Sequence, residues 1–327
     1  MLAKRAVLSA ICIAQFGMFA TEPAPAQPYP TKPISLIIPF TGGGPPEFAA
    51  RFVADRLSSS FGQPVIIENR PGGAGGTVGA KAVAAAMPDG HTLLFSNPGP
   101  MVTAAVMYKN VGYDPAKSFA PVATIFSAPQ MLVVNPSVPA RSIAELVAYT
   151  KANPGKISFA SPGFGTMPHM LGEMLKLAAG ADIVHVPYKG SALAISDVMS
   201  GQLQMYFDGA AFLLPHIEAG KLRALAVAED TRIPELPAVP TTIESGYPRL
   251  QASFWTGILA PAGTPANIVE KLNTTVNQIL KAPEFETILA KLGAKAKIGS
   301  PQEFAAFMAA ERVKWTEIIS AAGITTE

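Results

Sequence analysis

Twice in this chain a short apolar run ends in a glycine-rich turn that leads straight into a helical pattern. The first run, ISLII (residues 34–38), passes through PFTGGGPPEFAAR (39–51), and the second, KISFA (156–160), through SPGFGTMPHMLGEMLK (161–176). A strand that turns into a helix and then returns to the sheet makes a crossover, so such units favour a layered α/β fold with parallel neighbours. The turns also carry chemistry. A helix start leaves its first N–H groups unpaired and bears about half a positive charge, which attracts anions without any Lys or Arg.

The rest of the chain repeats the alternation. Further strand candidates are residues 65–67, 92–96, 131–134, 183–186, 205–207 and 224–227. Between them, Phe48, Phe52, Val53 and Leu57 form one helical stripe, and Ile143, Leu146, Val147 and Thr150 another. Ser142 with Glu145, and Ser300 with Glu303, have the spacing of capping boxes, while Thr264-Pro265 and Ser300-Pro301 place a cap residue before proline. Ile268, Leu272, Val276 and Ile279, then Phe304, Met308, Trp315 and Ile319, make the last stretch of the chain largely helical. Proline-rich joints at residues 128–139 and 233–240 bracket a central block. The expected fold class is α/β with two hinged lobes: residues 27–127 plus 230–327 in one, and 128–229 in the other. The cleft between them is the natural ligand site.

Composition narrows the function. The 327 residues carry a net charge of +2 and only 15% charged side chains, so neither nucleic acid nor a membrane surface is an expected partner. Lys4 and Arg5 precede an apolar run that ends before Ala24-Pro25-Ala26, the order of a cleavable secretory signal over residues 1–26. That run is shorter than the roughly 20 residues a spanning helix needs. Cys12, the single cysteine, lies within it, so the exported chain has no disulfide, thiol nucleophile or cysteine metal site.

Three glycine clusters are candidates for the site. In the first turn, the amides of Gly42, Gly43 and Gly44 form an anion cradle or simply a flexible βα turn, and spacing does not separate the two. Pro45 and Pro46 preset the helix start, and Glu47 either complements the helix dipole or pairs with Arg51. In the second turn, Gly163 and Gly165 let amides converge, and Ser161 and Thr166 add hydroxyl donors. His169 and Glu173 lie one helical turn apart without a third metal ligand, so a capping or core role outweighs a metal or catalytic one. The third cluster, residues 69–79, fails as a dinucleotide fingerprint because Val78 stands where glycine is required. Asp208, at the end of the run QMYF, either reaches the cleft or caps a turn before Gly209. No nucleophile elbow, HExxH or SxxK arrangement is present, so no catalytic set, metal or cofactor is expected.

Several stretches resemble the substrate-binding proteins of tripartite tricarboxylate transporters, the Bug family of periplasmic receptors. They include YPTKPISLIIPF, VIIENRPGGAGGTVGA, PDGHTLLFSN, HVPYKGS, PHIEAGKLRALAVAE and FWTGILAPAGTPANIVEKLN, and they span nearly the whole chain after the signal. The resemblance implies a type II periplasmic-binding fold that catches small carboxylates through backbone amides. It implies contacts at Thr41–Gly44, at Ser161–Thr166 and at Asp208. The first turn departs from the family's pattern. Thr41 and Gly42 replace its Pro-Ala, Pro45 and Pro46 fill the variable positions, and Glu47 replaces its aspartate.

The expectation is therefore a monomeric, exported receptor that hands a small mono- or dicarboxylate to a membrane transporter or a sensor. Two other classes compete with it. A periplasmic hydrolase would use Ser161 and His169, and a structural or signalling protein would have no small-molecule pocket.

Overall fold

A computed structural model describes residues 29–40 and 45–324. The expected signal segment and the turn residues Thr41, Gly42, Gly43 and Gly44 lie outside the described residues. The chain begins with β1 (Ile34–Ile38), α1 (Pro45–Phe61), β2 (Val65–Asn69), α2 (Thr77–Ala84), β3 (Thr92–Ser96) and a short α3 (Ala104–Met107). A long strand, β4 (Phe119–Val134), then leads into α4 (Ile143–Ala152), β5 (Ile157–Ser161), α5 (Met167–Ala179) and β6 (Ile183–Pro187). Next come α6 (Ser191–Met199), β7 (Met205–Gly209), α7 (Ala210–Glu218) and β8 (Arg223–Val227). The chain finishes with β9 (Ser253–Pro261), α8 (Ala266–Ile279), α9 (Pro283–Lys291), β10 (Lys295–Ala296) and α10 (Pro301–Ala321).

The sheet is mixed, in the order β2-β1-β3-β9-β4-β7-β5-β6, with β8 and β10 also paired to β4. Its wings are parallel, β2 and β3 flanking β1 and β6 and β7 flanking β5, as the strand–turn–helix units require. Around β4 the pairing is antiparallel. The first stretch of β4 pairs with β9 from Phe119↔Pro261 to Pro129↔Ser253, and its last residues pair with β7 and β8. One strand thus belongs to both halves of a two-lobe molecule. The chain returns beside it, where the Ala228 amide donates to Gln130 O at 2.8 Å and the Ala252 amide to Ala228 O at 3.0 Å.

Both faces of the sheet are covered. In β4, Leu132 and Val134 point into one buried cluster, and Met131 and Val133 into another, following the two-residue period of a strand. The first of these clusters runs through both halves, from Leu94 and Trp255 to Phe159 and Phe207, and is closed by Phe304, Trp315 and Ile319 of α10. A third cluster packs α1, α8 and α9 on the first half through Val53, Leu57, Leu272 and Phe285.

The expected helix starts hold with local changes. Ser300 and Glu303 form the full reciprocal box. Ser142 accepts from the Glu145 amide, but Glu145 reaches one residue further back, to the Arg141 amide at 2.7 Å. Thr264 is not a cap: its hydroxyl donates to Pro261 O, and α8 begins after Pro265. Phe48 leaves the expected stripe of α1 and is 58% exposed, whereas Val53 and Leu57 are buried.

Candidate functional site

A cleft of about 900 Å³ lies between the two halves. Its first wall comes from loops that follow parallel strands: Pro39 and Phe40 after β1, the run from Pro71 to Gly73 with Gly75 and Gly76 after β2, and Asn97 to Gly99 after β3. The opposite wall is the loop from β5 to α5 together with the start of α7. Residues of β4 and β9 form the base, among them Phe126, Gln130 and Phe254. Carboxyl ends of parallel strands meet the cleft from both sides, where ligands bind in open α/β sheets.

The first wall is built on glycine because backbone meets backbone there. A Cβ on Gly76 (φ +97°) would stand 2.6 Å from Pro39 O, and one on Gly99 would stand 2.7 Å from Gly75 O. Gly99 also begins a widened helical turn in which the Ala104 amide donates to Gly99 O, five residues back. Such insertions cluster at functional sites. By its spacing this third glycine cluster reads as a failed nucleotide fingerprint. Its strand–glycine–helix order is nevertheless the same signal that marks the other two turns.

The second wall is braced from behind. Ser161 is fully buried, and its hydroxyl lies 2.6 Å from His185 Nε2 and 3.1 Å from Gly163 O. The Thr166 hydroxyl donates to the same carbonyl at 2.7 Å, and the Gly165 amide to His169 Nδ1 at 3.1 Å. The rings of His169 and His185 stack with centroids 4.0 Å apart, and Phe164 meets both edge-on. Burial holds both imidazoles neutral. It lowers His169 to about 3, helped by the neighbouring His185 and Lys176, and His185 to about 4, helped by Lys176. What remains for a ligand is backbone: the amides of Phe164, Met167 and His169 find no acceptor among the described residues.

Asp208 sits at the end of β7. Its carboxylate accepts from Tyr206 Oη at 2.5 Å and from the Gly209 amide at 2.8 Å, with the Ser191 hydroxyl as a further partner. Burial nevertheless pushes its pKa above the usual carboxylate value. Asp208 and Lys291 are the charged side chains that line the cleft among the described residues.

The structure therefore divides the residues singled out in the sequence. Gly165, Thr166 and Asp208 line the cleft. Ser161, which is buried, and Gly163 do not line it, and the hydroxyls of Ser161 and Thr166, expected as ligand donors, both bond to Gly163 O. Glu47 is buried away from the lining and pairs with Arg51 at 2.6 Å. Thr41, Gly42, Gly43 and Gly44 fall outside the described residues. No cluster able to hold a metal ion occurs among the described residues.

Known proteins share this plan. The model of the family described as "Tripartite tricarboxylate transporter family receptor" matches residues 49–324. The solved structure of Rhodopseudomonas palustris Rpa4515 with adipate is 37% identical, with a TM-score of 0.78 over 91% of this chain and 99% of that one. The periplasmic binding protein BugD is 36% identical, with a TM-score of 0.76 over 91% and 100%. MatC from Rhodopseudomonas palustris with bound malate is 32% identical, with a TM-score of 0.76 over 89% and 100%.

Proposed function

The chain belongs to the tripartite tricarboxylate transporter family of receptors, so it is a binding protein and not an enzyme, and from that premise we propose that it captures a small mono- or dicarboxylate for delivery to a membrane transporter or a sensor. We place the ligand in the cleft between a lobe of residues 27–127 plus 230–327 and a lobe of residues 128–229. Export by a cleavable signal of residues 1–26 into the periplasm belongs to the same reading. The similar structures hold adipate and malate, both dicarboxylates, and BugD is a periplasmic protein.

One observation carries the reading. The second wall ends in a helix start where the amides of Phe164, Met167 and His169 have no acceptor among the described residues, and Phe164 and Met167 line a cleft with little fixed charge, so an anion there meets backbone dipoles rather than a competing ion pair. The glycine loops of the first wall face them. Thr41, Gly42, Gly43 and Gly44, outside the described residues, remain proposed ligand contacts. A ligand touching both walls favours the closed arrangement by its differential contacts.

Thermal unfolding against a panel of aliphatic and aromatic acids tests this. A bound acid at one hundred times its Kd is expected to add about 2.7 kcal/mol of stability. If no acid in the panel moves the transition at millimolar concentration, the carboxylate reading fails.

A further inference from the structure

The apolar part of the cleft has its own pattern. Five phenylalanines line it, and they come from every side of it: Phe40 after β1, Phe126 in β4, Phe164 before α5, Phe212 in α7 and Phe254 in β9. Phe126 and Phe254 are neighbours at the base, with ring centroids 6.4 Å apart. Phe164 and Phe212 stand on the opposite wall, 61% and 39% exposed.

Large exposed aromatics are expensive to leave in water, and two in one cleft mark a surface that another apolar body covers. Neither completes the core. Phe164 rests edge-on against His169 and His185, and Phe212 against His216 at 6.2 Å, so both rings keep area free for a guest. A short aliphatic diacid has little surface to offer such walls. A flat ring fills the gap between them and gains the stacked or edge-to-face contacts that aromatic pairs make beyond simple burial. The space of about 900 Å³ accommodates it.

We propose that the ligand of this cleft is an aromatic carboxylic acid, its carboxylate on the amides of the second wall and its ring among Phe164, Phe212 and the Phe126–Phe254 pair. The inference rests on the carboxylate reading above and adds the ligand's body to it. Phe164 and Phe212 are then specificity residues that act by contact with the ring.

Calorimetric titration with benzoate, phenylacetate, cyclohexanecarboxylate and adipate tests it on the intact protein. Benzoate or phenylacetate is expected to bind about tenfold or more tightly than the other two. Phe212→Ala is expected to weaken the aromatic acid by about tenfold and adipate by less than threefold, and Phe164→Leu to act in the same direction. Both rings are exposed, so the variants fold, and an unchanged circular dichroism spectrum verifies it. Tighter binding of adipate, or equal binding of cyclohexanecarboxylate and benzoate, overturns the aromatic assignment and leaves the carboxylate reading intact. Failure of all four acids to bind overturns both.

Discussion

At the level of single residues, the second wall depends on side chains that do not line the cleft. His169 and His185 lie stacked under the loop and hold the Gly165 amide and the Ser161 hydroxyl. Their neutrality ties loop stability to pH. Well above pH 6.5 both imidazoles are neutral in the folded and the unfolded chain, and their contribution is complete. As pH falls from 6.5 toward 4, the unfolded chain binds protons that the buried rings refuse, and stability drops. Urea midpoints measured across that range should fall with pH in the native chain. The fall should be shallower in His169→Asn, which keeps an acceptor for the Gly165 amide but does not titrate. An identical slope in the variant would remove His169 from this role.

Gly76 makes a different demand. Its φ of +97°, and the 2.6 Å that would separate a Cβ from Pro39 O, leave no space for alanine. Gly76→Ala should cost about 1–3 kcal/mol in chemical denaturation, through backbone strain and displacement of the turn after β1. A neutral result would mean that this approach of the two loops is not needed for folding.

Among the elements, helix starts are the most legible feature, because caps are written in adjacent residues. The box of Ser300 and Glu303 is present in full, and Ser300→Ala should lower stability by about 1 kcal/mol in thermal unfolding. An effect below a few tenths would show that α10 is held by Phe304, Trp315 and Ile319 alone. Strands are legible where both faces are apolar and the run is short, as in β1 and β3. The long strand is not. Only its last four residues stand out in the sequence, because Pro121 and Pro129 interrupt the run, and proline usually demotes a segment to an edge or a bulge. Here a register shift follows Pro121, and Pro129 stands where β4 exchanges β9 for β7 and β8, so both prolines sit at irregular places in the ladder. β9 escapes detection because WTGILAP is buried without alternation, which a helix segment also permits.

For the whole molecule, the sequence carries the α/β class and the idea of a cleft between two halves, since alternating units and proline joints are chain-order signals. It does not separate residues that face the cleft from those behind it. Ser161 and Thr166 are alike in kind and close in the chain, yet one is buried and the other lines the cleft, and only the packing of His169 and His185 decides which. The glycine loop after β2 is hidden for the complementary reason, because its place in the site emerges only when β2 and β3 are brought beside β1. What the assembled molecule adds is a cleft with backbone amides on one wall, glycine loops on the other and few charges between.

The central claim is that those amides recognise a carboxylate. Its most direct test is calorimetric titration of the purified protein with benzoate and adipate beside benzamide and adipamide, which keep the shape and remove the charge. At least one acid should bind with one site per chain, and its amide at least tenfold more weakly. Amides that bind as tightly as their acids, or four ligands that give no heat of binding, would contradict the claim.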